Sequence, residues 1–381
     1  MSRKFKNDKL FQPFISKPCR SFLLYIRIQM DDYQNLVRGS RKRILVAPLD
    51  WGLGHATRCI PIIRELIAQG HEVFIGASGA TEKLLRIEFP DLRFIHIEGY
   101  GIRYSGSLSI TMSMILQSPK ILWSISREHR SLKKVIHEHG IETIISDNRY
   151  GLWNKKIHNI FITHQVMIKC PAALRFLEPL LHRVSLSLIR NFDECWIPDD
   201  ARKLAGDLAH RYPLPSNARL IGILSRWKKE DQTPEKKYDV IGVVSGPEPH
   251  RSSFEKLLTE ELSRSSLSSL IVRGKPGDDA IISGDLMKVI PHLESEELLR
   301  AVSASDVVIC RAGYSSIMDL VSIGKNAVLI PTPGQTEQEY LAGYLKEKKI
   351  FFSTDEKSFT LKQALEEPRN YSPKNFSEKT Y

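Results

Sequence analysis

Short apolar runs that end in glycine- or proline-rich turns alternate with stretches whose apolar residues recur every three to four positions. Arg43-Ile44-Leu45-Val46-Ala47-Pro48 predicts a buried strand, followed by a loop that carries Gly52 and Gly54. A helix is predicted from about Ala56 to Ala68, stopping at Gln69-Gly70, and His71 to Gly76 gives a second strand. Two more strands are readable downstream: Glu142 to Ser146 runs into Asp147-Asn148-Arg149, and Ile160 to Thr163 runs into His164-Gln165. The polar stretch Trp227 to Lys237, which carries Pro234, marks a linker or exposed excursion. A second series then begins with a strand from Tyr238 to Val244, a turn at Ser245-Gly246-Pro247 and a helix from about Ser252 to Leu262. Ser268–Val272 and Lys288–Ile290 read as strands, Glu296–Ser303 as a helix, and Val307–Cys310 as a strand breaking at Arg311-Ala312-Gly313. The helix after Gly313 has Ser315 or Ser316 to cap it, Ile317, Leu320 and Val321 on one face, and Gly324 at its end. Ala327–Ile330 is one more strand, closed by Pro331-Thr332-Pro333-Gly334 and a polar segment with Gln335, Glu337, Gln338 and Glu339.

Strands joined by helices predict an α/β fold with parallel sheets, and 381 residues exceed what one hydrophobic core usually organises. Two domains are therefore expected, over 41–225 and 226–381, with residues 1–40 a basic extension outside the fold. Residues 1–29 read either as that extension or as an upstream start, because Met30 opens a polar segment before the first strand.

Charge changes the picture only at one end. The net charge is +11, but residues 1–43 hold eleven Lys and Arg against three Asp, so the folded body is close to balanced and no nucleic-acid partner is expected. The five cysteines (Cys19, Cys59, Cys170, Cys195, Cys310) are scattered and form no C-x-x-C pair, which disfavours a disulfide framework or zinc site and fits a reducing cytoplasm. No run approaches the roughly 18 apolar residues that span a bilayer. Ser107–Lys134 and Leu174–Ile189 combine apolar positions with basic edges; they read either as core helices or as faces lying in a membrane interface.

The loop Gly52-Leu53-Gly54-His55 lacks the third glycine of a dinucleotide fingerprint, Thr57 standing in its place, and the chain contains no P-loop. G-x-S-x-G and H-E-x-x-H are absent too, which disfavours a serine hydrolase and a zincin. The order of parts from Asp306 to Ala342 (strand, Arg-Ala-Gly turn, acid six residues after the glycine, Gly-Lys helix end, Pro-ended strand, Gln-Glu-Tyr) closely resembles the donor-binding segment of GT-B glycosyltransferases. The MurG type and the galactolipid synthases are the nearest relatives in this pattern, and the glycine loop at 52–55 is similar to theirs. The resemblance runs over about residues 41 to 352.

It implies a GT-B fold, two Rossmann-like domains facing across a cleft. It also implies an inverting hexosyltransferase, N-acetylglucosaminyl transfer among the options, that uses a UDP-sugar and an acceptor hydroxyl on a lipid-linked or cell-envelope glycan. Peripheral contact with the inner face of the cytoplasmic membrane follows from lipid-borne acceptors. Among the site residues, Asp319 would hold the ribose and Gln338 the donor sugar, with Glu339 standing where a second Gln is common. Ile290 would hold the base through its backbone. Gly246, Arg251 and Gly313 would meet the diphosphate, the loop of Gly52 and Gly54 would approach the diphosphate or the acceptor, and Arg311 and Ser315 would be further donor-binding residues. His55 is a candidate general base, able to accept a proton near neutral pH, and Asp147 is a second base or the partner that orients it. A competing reading of Ser316-x-x-Asp319 is a helix capping box. With no D-x-D pair in the chain, no metal cofactor is expected. Two alternatives stand beside this reading: a UDP-sugar 2-epimerase, and an inactive GT-B scaffold at the membrane surface.

Overall fold

The structure is a computed structural model that describes residues 40–102, 116–228 and 234–377. The basic extension, the first part of the 107–134 stretch and the middle of the 227–237 segment therefore lie outside the described residues, apart from Ser40.

Two seven-stranded sheets form the scaffold. The first contains β1 (Arg43–Pro48), β2 (Glu72–Ala77), β3 (Arg93–His96), β4 (Thr143–Asp147), β5 (His158–Ile162), β6 (Glu194–Ile197) and β7 (Ala218–Leu220), in the order β3-β2-β1-β4-β5-β6-β7. Every pair in it is parallel. The second contains β8 (Tyr238–Val243), β9 (Ser269–Val272), β10 (Ile282–Ser283), β11 (Met287–Ile290), β12 (Ser305–Cys310), β13 (Val328–Leu329) and β14 (Phe352–Ser353). Its order is β10-β11-β9-β8-β12-β13-β14, and only β10 runs antiparallel to its neighbour.

The strands are continuous apolar runs because both faces are covered. Ile44, Leu45, Val46 and Ala47 of β1 are fully buried, as are Ile160, Phe161 and Ile162 of β5. One apolar cluster extends from Ile44 and Ile60 through Trp196 to Ile317 and Leu345, so side chains of both halves share a core. Trp227, read from sequence as the start of an exposed linker, is instead 6% exposed and donates its indole N–H to the Ser295 carbonyl at 3.0 Å. The polar residues after it dominated that reading.

The strand order places the site. In the first sheet the chain moves outward from β1 to β2 and β3, then returns to add β4 on the other side of β1. In the second the same reversal falls between β8 and β12. Ligands of open parallel sheets bind beyond the strand carboxyl ends at such reversals. There the register pairs Pro48 with Asp147 in one sheet and Val243 with Cys310 in the other.

Candidate active site

The β1 strand ends in a turn whose Gly52 has φ 95°, a backbone conformation that disfavours side chains, and the helix Leu53–Ala68 starts from it. That helix begins three residues earlier than the apolar periodicity predicts, so Gly54 and His55 lie in its first turn. On one helix face, His55 and Arg58 at i and i+3 meet Asp147 at the end of β4.

Arg58 is the hub of this cluster. Its Nε donates to Asp147 Oδ2 at 2.7 Å and its Nη2 donates to Asp147 Oδ1, while Nη1 lies 2.7 Å from Nδ1 of His164. The Arg58 and Asp147 side chains are 1% and 0% exposed. Burial pushes the Asp147 carboxyl up, but the Arg58 charge and the hydrogen bonds from Arg58 and His55 outweigh it and hold the group well below the ordinary carboxylate range. Asp147 is thus an ionised, enclosed acceptor, and of the two candidate bases only His55 retains exposure to the cleft, at 16%. Burial, opposed by Asp147 and reinforced by Arg58, lowers the His55 pKa below its usual value and keeps the imidazole neutral near pH 7.

Nδ1 of His55 has two partners with opposite demands. Asp147 Oδ1, at 3.3 Å, accepts and requires a proton on Nδ1, leaving a lone pair on Nε2. The Arg58 Nη2, at 2.9 Å, can only donate and requires the lone pair on Nδ1. His164 has no such conflict: Nδ1 accepts from Arg58, and Nε2–H donates to Glu337 Oε1 at 2.8 Å. Glu337 comes from the helix Thr336–Glu347 on the opposite sheet. Burial pushes its carboxyl up, yet His164, with His55 and Arg58 beyond it, brings the pKa below the ordinary value.

Further contacts join the halves here. The His164 ring stacks on Tyr314 with centroids 4.4 Å apart, and the Tyr314 hydroxyl donates to the Pro198 carbonyl at 2.8 Å. The Ser315 hydroxyl donates to the Gly54 carbonyl at 2.7 Å, and a Cβ on Gly54 would lie 3.4 Å from that hydroxyl oxygen. A Cβ there would just reach contact with Ser315, and the branches of a larger side chain would press on it.

On the donor side, the helix Tyr314–Ile323 starts from Gly313, beside which a Cβ would meet nothing within 4 Å, so there is free space next to this helix start. Neither Ser315 nor Ser316 caps the helix, and the capping-box reading of Asp319 is overturned, because Gly313 is the N-cap and Asp319 lies in the body of the helix. Gly246, at φ 109°, brings its backbone beside Thr332, whose buried hydroxyl has no partner. Ile290 ends β11 on the same side, with its side chain buried. Gln338 Oε1 accepts from the Thr332 amide at 2.8 Å and Glu339 Oε1 from the Gly334 amide at 2.8 Å, so both brace the loop after β13.

Three sequence-predicted donor residues are placed differently. Arg251 is 5% exposed and spent on Glu248, Glu255 and the Arg273 carbonyl, so its charge is already neutralised. Arg311 is 1% exposed, lies over the Phe254 ring and ties the carbonyls of His250 and Pro331 together, with Glu356 as counter-ion. Asp319 accepts from Ser225 Oγ at 2.8 Å and from Arg226 N and Nε at 3.3 and 3.0 Å, so its carboxylate clamps the connection between the sheets. Burial raises its pKa, with Arg226 opposing. Sequence reasoning missed Arg58 and Glu337; for Arg58, the i, i+3 spacing from His55 was the available signal.

Residues 287–380 match the glycosyltransferase family 28 C-terminal domain. The fold is similar to that of CalG4, the calicheamicin glycosyltransferase, with a TM-score of 0.59, 9% identity, and coverage of 89% of this chain and 93% of that one. The chain is a glycosyltransferase of the GT-B fold. A Methanosarcina mazei protein named as an uncharacterized glycosyltransferase is 26% identical to this transferase over 348 residues, covering 80% of it and 84% of the relative. A shorter match, 27% over 137 residues and 33% of the transferase, is to 36% of a Caldanaerobacter subterraneus enzyme named UDP-N-acetylglucosamine–N-acetylmuramyl-(pentapeptide) pyrophosphoryl-undecaprenol N-acetylglucosamine transferase. Among the described residues no helix is long and apolar enough to cross a membrane, and no cluster of three or more His, Cys, Asp or Glu is placed to hold a metal ion.

Proposed function

We propose that this transferase moves a hexosyl group, N-acetylglucosaminyl first among the candidates, from a UDP-sugar to an acceptor hydroxyl with inversion and without a metal. The observation that carries this reading is the His55–Asp147 pair at the strand reversal of one sheet, held against the helix N-terminus at Gly313 from the other. His55 Nε2 takes the proton of the acceptor hydroxyl while Asp147 holds Nδ1–H. The acceptor oxygen bonds to the anomeric carbon, and the bond from that carbon to the β-phosphate oxygen breaks, its electron pair leaving with UDP. Backbone amides at Gly313 and Gly246 and the unpartnered Thr332 hydroxyl receive the diphosphate charge. The amide nitrogen of Gln338 faces the donor sugar.

A lipid-linked or cell-envelope acceptor is supported by the name of the Caldanaerobacter relative and by a surface of inverted polarity. The helix Glu178–Ile189 buries Glu178, His182 and Ser185 along with Ile189, while Leu180 and Val184 are exposed, and Phe176 before it is 73% exposed. Arg175 and Arg183 flank this face. We place the enzyme peripherally on the membrane through it.

The test is transfer itself. UDP-N-acetylglucosamine is incubated with the enzyme, with and without a polyprenyl-linked glycan, in EDTA, and the anomer of the product is read by NMR. Acceptor-dependent UDP release with an inverted anomer is expected. A new sugar nucleotide formed without acceptor would instead establish the epimerase, and activity restored only by manganese would refute the metal-free reading.

A further inference from the structure

Glu337 accepts a hydrogen bond from His164 Nε2 across the cleft, on the far side of Arg58 from the candidate base. Arg58 uses Nη1 on His164, Nη2 on both Asp147 and His55, and Nε on Asp147, so a shift at either end is felt across the whole planar fork. Where that fork lies decides which partner takes Nδ1 of His55, and hence whether Nε2 carries a lone pair or a proton. Glu337 also directly precedes Gln338 and Glu339 in the same helix turn, and their side chains brace the loop beside Gly246 and Thr332. The donor-side loop and the base are thereby joined through one helix turn, one imidazole and one guanidinium.

We propose that Glu337 is a positioning residue for the base: supplied by the opposite half, it fixes His164 and through it Arg58, so that His55 is set for proton removal only when the halves are in contact. This rests on the transferase reading above, with His55 as base. The groups facing His164 are Arg58 and, beyond it, His55 and Asp147 from one half, and Glu337 and Tyr314 from the other. All five belong to the same coupled unit. Nothing in the step changes covalently, since Glu337 only accepts a hydrogen bond.

The test compares Glu337→Ala and Glu337→Gln with wild type in full-length enzyme, reading kcat and donor KM across pH, 15N shifts of the histidine rings and thermal melting. With folding intact, Glu337→Ala is expected to lower kcat about tenfold or more, a fraction of what a general base contributes, with donor KM within about twofold. Glu337→Gln, which still accepts from His164, is expected to fall between. In both variants the His55 and His164 ring nitrogens shift together, and the acid limb of the kcat profile moves with them. Unchanged kcat and unchanged ring shifts would overturn the proposal; so would a rise in donor KM alone, which would make Glu337 a donor contact. If wild type transfers no sugar while the His55 signal still responds to Glu337, the coupling stands and the transferase reading falls.

Discussion

Replacing Arg58 by Met keeps much of the side-chain volume and removes the charge that Asp147 depends on. The two side chains are 1% and 0% exposed, so water cannot replace the lost donors. Asp147 would keep only His55 at 3.3 Å and the Cys59 thiol at 3.6 Å. Removing one partner of such a buried pair costs about 3–5 kcal/mol, a large share of the roughly 5–15 kcal/mol that holds an ordinary domain folded. The pH dependence follows from the sign of each shift. In wild type the Asp147 pKa is depressed, so its contribution is present above the unfolded value of about 3.9 and is lost as pH falls through the lower folded value. In Arg58→Met, burial without compensation raises the folded pKa above about 3.9, and the penalty is relieved as pH falls and the carboxyl takes a proton. Urea unfolding followed by tryptophan fluorescence should therefore show the full deficit at pH 7 and a much smaller one near pH 4. Arg58→Met with Asp147→Asn should cost less than Arg58→Met alone, with a coupling of at least about 1 kcal/mol. A deficit below about 1 kcal/mol at pH 7, or one that does not shrink with acid, would refute the reasoning.

Three other outcomes are expected. Because burial lowers the His55 pKa, the acid limb of kcat/KM should have its midpoint below the ordinary histidine value of about 6.5, and Asp147→Asn, which removes the charge that favours imidazolium, should move it lower still; a midpoint above that value would contradict the assignment. Gly54→Val places methyl groups against the Ser315 hydroxyl, so transfer measured at saturating donor should fall steeply while the melting temperature changes little. Asp319→Ala strands Arg226 and releases Ser225, which should lower stability by about 3 kcal/mol in urea unfolding; wild-type stability in this variant would remove the clamp role.

The architecture was legible because the strongly apolar strands, β1, β4, β5, β8 and β12, are the central ones buried on both faces, and their turns carry glycine or proline. Short edge strands escaped notice: β10 and β14 have two residues each, and β3 is half-exposed, so none has room for a pattern. His55 and Asp147, 92 residues apart, could be paired from sequence because each follows a strand at the same end of one parallel sheet. The arginines were harder. Arg251 and Arg311 stand at strand ends where a ligand would be met, and only the acids show that they turn inward: Glu248 and Glu255 at i−3 and i+4 of Arg251, and Glu356 far along the chain from Arg311. For Arg251 that signal lay in the sequence. For Glu337 there was none, because its partner His164 is 173 residues away on the other sheet and the contact exists only through the packing of the two halves.

In the proposed function the second sheet binds a UDP-sugar at the start of the helix Tyr314–Ile323. Calorimetric titration of the purified chain with UDP, and then with UDP-N-acetylglucosamine and other UDP-sugars, tests it most directly. Saturable binding of UDP and tighter or equal binding of one UDP-sugar are expected, both weakened by Gly313→Val, which places a side chain in the free space at the helix start. No heat from any UDP species, with saturable binding of another nucleoside diphosphate, would contradict it.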